Sequence, residues 1–463
     1  MKKLRAVLTI LFSLTFSFSA FAEPVRLGSS MRVPRAGERD KTPPFYLGVL
    51  VGADPVRWGD LRGTEGEAGI QAICSDLKIQ GMNAVWVSGF DGWNAGATQM
   101  PLWLDAARGN GLKVVFQGSG GSFALKTGVP RIQIVLHLRR EVLSTWRSVA
   151  EQFGTHPALL AYVPVQEVLD NVERGEKHTL WALVRVAEVV SAIDAVHPVI
   201  TVYNPSQEAV ADAEIALRGK SMGAVVVTLH VFRYSQEWVD SQTPDQSPLE
   251  ATREYLDGVS RFVALGRSAG VPAWIIGQAH ESVLFSRELG ERPGARMPTK
   301  AEMSFQIWGA ILNGAKGIFF FSYQSFQPPP LDAQGALDQW ETSTGMWTLK
   351  GDPTTAYEGA MEMAGRLRPH LPLLGRLTME TKAIELDPSP ILAARFRDSL
   401  DRTKYVVLLN RDVTQPHTLK ELTTKLGKFT EPVTLAPGDG AIFRFKLQEG
   451  ILEPFFPAPS QKS

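Results

Sequence analysis

An apolar run that ends in a carboxylate is the first place in this sequence where chemistry could sit: Leu159-Leu160-Ala161-Tyr162-Val163-Pro164-Val165-Gln166-Glu167. A carboxylate beside valine and tyrosine side chains must be solvated, paired or shifted upward in pKa, and an upward shift is what a general acid needs near neutral pH. Asp91 and Glu281, beyond the ends of other apolar runs, could supply a second carboxylate. Gln166, Gln278, His230, His280, Tyr203, Asn204, Gln117 and Tyr323 offer amides, rings and hydroxyls at comparable places, and Trp93 offers a face for stacking. Donors and acceptors of this kind around one or two carboxylates suit a neutral ligand rich in hydroxyls. Structural readings compete at several positions. Asp91-Gly92 also spells a turn, Glu281 also reads as a surface residue, and Asp170 could cap a helix or orient Glu167.

These residues need strands that end at one common face. Eight short β-rich runs alternate with amphipathic stretches: Phe45–Val51, Asn83–Ser88, Lys113–Gln117, Leu159–Gln166, Val199–Tyr203, Ala224–His230, Ala273–Gln278 and Gly317–Ser322. Helices are expected between and after them at Glu67–Gln80, Pro101–Asn110, Glu141–Phe153, Leu180–Val196, Ala209–Arg218, Leu249–Ala269, Lys300–Leu312 and Ala356–Leu367. Glycine stops such as Gln80-Gly81-Met82 and Asn110-Gly111-Leu112 separate several helices from the next strand. Eight such units predict an α/β fold, a (β/α)8 TIM barrel over residues 44–377, in which chemistry gathers at the carboxyl ends of the strands.

From residue 378 to 453 the texture changes to strands without helices, with turns at Asp387-Pro388-Ser389-Pro390 and Pro437-Gly438-Asp439-Gly440, which predicts a small antiparallel β domain. Residues 454–463 read as a frayed tail. At the other end, residues 1–22 carry Lys-Lys-Leu-Arg, an apolar stretch and Ala20-Phe21-Ala22, the layout of a signal peptide, so export to the periplasm or the exterior is expected. Residues 23–43 read as an extended leader.

Composition excludes several function classes. Acidic and basic residues balance at 48 each, which argues against a nucleic-acid groove or a polybasic membrane surface. The single cysteine, Cys74, rules out an internal disulfide and a cysteine metal cluster. No later apolar run is long enough for a membrane span, and no glycine-rich phosphate loop follows a strand, so no cofactor is expected. His230, His280 and Glu281 lack the spacing of a metal site, which leaves metal-dependent hydrolysis without a ligand set, and no Gly-x-Ser-x-Gly elbow supports a serine nucleophile. Nothing in the sequence fixes an oligomeric state.

The order of these elements and three short motifs resemble clan A glycoside hydrolases. Val165-Gln166-Glu167-Val168 is similar to the Asn-Glu-Pro that ends strand four there, Thr228-Leu229-His230-Val231-Phe232 to a His-x-Tyr on strand six, and Pro272-Ala273-Trp274-Ile275-Ile276-Gly277-Gln278 to a Pro-Val-x-x-Gly-Glu on strand seven. The resemblance implies a glycosidase acting on a poly- or oligosaccharide, with Glu167 as acid/base. It also places Gln278, an uncharged amide, where the family carries its nucleophile. Glu281 or Asp91 would then have to be the second catalytic carboxylate. The alternative is a barrel that binds carbohydrate, or assists envelope polysaccharide assembly, without cleaving it.

Overall fold

Strand residues that alternate between two apolar environments need a barrel with packed material on both sides. The computed structural model describes residues 42–52, 66–88, 93–118, 142–164, 178–218, 222–229, 232, 248–286, 290–325, 339–386, 390–419, 428–429, 431–446 and 449–456. The strands are β1 (Tyr46–Gly52), β2 (Ala84–Ser88), β3 (Lys113–Gln117), β4 (Leu159–Val163), β5 (Thr201–Tyr203), β6 (Val225–Leu229) and β7 (Ala273–Gln278). Then come β8 (Glu281–Ser286), β9 (Gly290–Pro293), β10 (Gly317–Phe321) and β11 (Gln339–Thr344). Eight of these form one parallel sheet in the order β4-β3-β2-β1-β10-β7-β6-β5. A bridge between Tyr162 and Val199 joins its two ends and closes the barrel.

Period-two alternation sorts the side chains. Leu50, Trp86, Val115, Ala161, Val163, Ile200, Val202, Val226, Ile276 and Phe319 pack together inside the barrel. Their strand neighbours Val49, Val85, Val114, Tyr162, Tyr203, Val225, Ile275 and Phe320 pack outward with helix residues such as Ile73, Trp146, Phe262 and Trp308. The helices are α1 (Gly66–Gln80), α2 (Trp93–Asn110), α3 (Leu143–Phe153), α4 (His178–Ile193), α5 (Glu208–Arg218), α6 (Pro248–Ala269), α7 (Lys300–Leu312) and α8 (Thr355–Leu367). One start is corrected: α2 begins at Trp93 rather than at Pro101, and carries that proline in its interior. Met100 and Trp103, which flank it, are buried in the core, and that packing offsets the lost backbone hydrogen bond.

After a short helix α9 (Leu371–Arg376) come β12 (Leu377–Met379), β13 (Ile384–Glu385), β14 (Ile391–Asp398), β15 (Lys404–Asn410), β16 (His417–Leu419), β17 (Lys428–Phe429), β18 (Val433–Leu435), β19 (Gly440–Lys446) and β20 (Ile451–Phe456). Most join a sheet in the order β12-β14-β15-β19-β20-β17. The frayed tail expected from Pro454 is corrected, because Pro454 and Phe456 pair with β19 inside β20. Asp439 ties this sheet to the barrel helices. It accepts from Trp308 Nε1 at 2.9 Å and from Arg366 Nη2 at 3.0 Å.

A second polar joint sits where α4 leads into β5. Asp194 accepts from the Tyr162 hydroxyl and from His197 Nδ1, each at 2.8 Å, and from the backbone N–H groups of Val196 and His197. Burial alone would raise its pKa, but these hydrogen bonds outweigh burial and hold it below the ordinary carboxylate value. A carboxylate with a depressed folded-state pKa adds stability above its unfolded value, near about 4, and loses it as the pH falls through the folded value. Asp194→Asn should therefore lower the unfolding midpoint at neutral pH, and the gap to the parent protein should shrink below about pH 4. Thermal unfolding across pH checks this; a gap that is constant with pH would contradict it.

Candidate active site at the carboxyl ends of the barrel strands

Inside the barrel the apolar filling gives way to polar groups at the strand ends. Trp86 Nε1 donates to Gln117 Oε1 at 2.6 Å, which joins β2 to β3 above the apolar interior. Ser88 ends β2 with the same inward parity as Trp86, and Thr228 follows Val226 in the same way on β6. Both hydroxyls are buried and find no hydrogen-bond partner among the described residues. A buried unpaired hydroxyl is uncommon in a native interior and marks a place where a polar ligand or water is accommodated.

Gln278 is the most heavily bonded side chain at this end. Its Nε2 lies 2.9 Å from the Phe232 carbonyl, 3.1 Å from that of His280 and 2.8 Å from that of Arg296. Its Oε1 accepts from the Phe232 N–H at 2.9 Å. Three carbonyls around one nitrogen fix the amide orientation, since oxygen there would meet only acceptors. The expectation that Gln278 contacts a ligand is therefore corrected: both ends of its amide are engaged by backbone. Its own N–H donates to Gln306 Oε1 at 2.8 Å, and Gln306 Nε2 donates back to its carbonyl at 2.9 Å. Gln306 comes from α7 and is fully buried among apolar neighbours, a polar residue in an apolar helix that could have been noticed in the sequence.

His280 is buried and donates through Nδ1 to the Phe321 carbonyl at 3.0 Å. Burial pushes its pKa down to about 4, against the smaller upward effect of that bond, so the ring is neutral at neutral pH and Nε2 is its acceptor. Glu281 starts β8, pairs with Thr344 of β11, and is exposed between buried His280 and Ser282. The antiparallel strands β8, β9 and β11 make a small rim sheet at this end that the sequence does not announce.

Other expected contacts point elsewhere. Tyr203 has outward parity, and its hydroxyl donates to Glu214 Oε2 at 2.7 Å on α5, so it is removed from the interior. Asn204 accepts from the Ser206 N–H at 3.1 Å and caps the short helix that follows β5. Tyr323 donates to Asp76 Oδ2 at 2.7 Å on α1, and its ring packs against Trp347. In each case a nearby helix or turn presents a stronger acceptor or an unsatisfied N–H. Glu167, Gln166, Asp91 and His230 lie outside the described residues, as does the side chain of Trp93. Among the described residues no group of three or more His, Cys, Asp or Glu side chains could hold a metal ion, and no helix is long and apolar enough to cross a membrane.

Among solved structures the chain is similar to a glycoside hydrolase, with 14% identity, a TM-score of 0.53, and coverage of 86% of this chain and 92% of that one. It is also similar to the endo-beta-1,4-mannanase from Thermotoga petrophila, at 9% identity and TM-score 0.48 over 87% of this chain and 95% of that one. A beta-galactosidase from the psychrophilic Marinomonas ef1 matches at 12% identity and TM-score 0.47 over 70% of this chain, which spans 59% of that enzyme's length. No family model matches the chain, and no curated protein sequence does. The likeness to the first of these structures shows the fold, a (β/α)8 barrel.

Proposed function

We propose that this chain is an exported glycoside hydrolase that cleaves a neutral poly- or oligosaccharide, with Glu167 as the general acid. The observation that supports it best is the change from apolar to polar lining at the strand ends, where Ser88, Gln117, Thr228 and His280 stand above Leu50, Val115, Val226 and Ile276. Fold alone does not choose a function, but a polar layer at the carboxyl ends of barrel strands is where such chemistry is built. Glu167 follows Val163, an inward-facing residue of β4, by four positions in the sequence. In this reading Glu167 gives its proton to the glycosidic oxygen as the bond to the anomeric carbon breaks and the bonding pair leaves with that oxygen. Water attacks the anomeric carbon, and Asp91 or Glu281 takes the proton that the water loses. The signal-like segment of residues 1–22 supports export.

The engaged amide of Gln278 favours a second reading, a barrel that binds carbohydrate without cleaving it. Incubating the secreted protein with soluble neutral glucans, mannans and galactans and measuring new reducing ends separates the two. Release of reducing ends is the expected result. Measurable affinity for an oligosaccharide without product over long incubation would replace the hydrolase reading with the binding one.

A further inference from the structure

We infer that Gln278 is a positioning residue, an amide clamp that fixes the rim between β6 and β7, and that a carboxylate at this position could not act as a nucleophile. The inference stands apart from the hydrolase reading, because it rests on the hydrogen bonds at the strand end. Gly277 pairs with Leu229 across the β7–β6 ladder, while the next residue, Gln278, pairs with Phe321 of β10 and is also met by side chains and backbone from elsewhere. Gln306 offers its amide to the backbone N–H and C=O of Gln278, as a neighbouring strand would. Gln278 repeats the device one step further along, pairing its own amide with the N–H and C=O of Phe232. Two glutamines in series thus extend the hydrogen bonding past Leu229↔Gly277, the last β6–β7 pair among the described residues. Gly277 permits this, because a Cβ there would stand 2.7 Å from Gln306 Oε1.

The clamp reaches the rim sheet through Arg296. Its carbonyl accepts from Gln278, its N–H donates to Phe232 at 3.0 Å, and its guanidinium lies 5.3 Å from the Phe232 ring centroid. The same guanidinium grips Glu302 at 2.8 and 2.6 Å, and Glu302 accepts from the Thr299 N–H at the start of α7. Gln278 therefore holds three segments together: the one after β6, the turn after β7 and the return from β9. Glutamate in its place would aim a carboxylate oxygen at the three carbonyls that Nε2 now satisfies. A group in that setting resists ionisation, and a protonated carboxyl does not attack an anomeric carbon.

Gln278→Glu in the full chain tests this. At neutral pH its unfolding midpoint should fall by about 5–10 °C relative to the parent protein. The folded-state pKa of the new carboxyl would be raised above its unfolded value. The deficit is then largest at neutral pH and shrinks as the pH falls, vanishing only below about 4, where the group is protonated in both states. Hydrolysis of 4-nitrophenyl β-glucoside, β-mannoside and β-galactoside should not rise above the parent level. Parental stability at neutral pH, or a gain of glycosidase activity, would overturn the clamp and mark position 278 as a vacated catalytic place. If Gln278→Glu does not fold, Gln278→Met removes the amide without adding charge. In that variant the Phe232 amide hydrogen should exchange about tenfold faster while β1–β3 keep their protection; unchanged Phe232 protection would overturn the proposal.

Discussion

Glu167→Gln should lower the turnover of an unactivated glycosidic bond by about a hundred- to ten-thousand-fold, the range a positioned general acid contributes. Gln matches Glu in size and can still hydrogen-bond the glycosidic oxygen, but it has no proton to give. Affinity for the oligosaccharide should therefore change little while the rate collapses, the mark of an interaction made in the transition state. The loss should be smaller for a 4-nitrophenyl glycoside, because a good leaving group departs without protonation. Folding should be unaffected, since a carboxyl kept for acid catalysis is not needed to hold the barrel together. Initial rates on both substrate types, with a thermal melt as control, make the check. Equal losses on both substrates would remove Glu167 from the acid role, and an unchanged rate would remove it from the site.

The barrel is legible in this sequence because its determinants are local. Apolar runs such as Ala273–Gln278 and Gly317–Phe321 are flanked by glycine stops, and the helices between them carry an apolar stripe, so the alternation alone predicts the order of elements. The rim sheet is not legible in the same way. β8 starts only three residues after the end of β7, and its partner β11 lies beyond the whole of α7 and β10, so the pairing depends on long-range closure that no local pattern encodes. The direction of polar side chains at strand ends is likewise set by what stands opposite. Tyr203 and Tyr323 look identical in sequence to ligand contacts, yet each finds a carboxylate on a neighbouring helix, Glu214 or Asp76. Gln278 was visible as an amide in an unexpected place, but its use as a clamp depends on three carbonyls from distant segments.

The seam where the barrel closes carries the other large expected effect. β5 is only three residues long, and it is held from outside by Glu214 of α5, which accepts from the Thr201 hydroxyl at 2.8 Å and from the Tyr203 hydroxyl at 2.7 Å. Arg218, one turn along the helix, balances that carboxylate at 2.5 Å and donates to the Val199 carbonyl at 2.6 Å, just before the strand. The two charged side chains are 2% and 0% exposed, so water cannot replace either partner. Arg218→Met should therefore cost about 3–5 kcal/mol, because it leaves a buried carboxylate without its counter-charge. Adding Glu214→Gln to that variant removes the charge but keeps an acceptor for both hydroxyls, so the pair should recover much of the loss. Denaturant unfolding of the single and double variants gives the coupling directly. A double variant no more stable than Arg218→Met would mean that the arginine acts through its bond to Val199 and its packing. A recovery would mean that charge balance keeps β5 docked beside β4, the strand from which the chain runs on to Glu167.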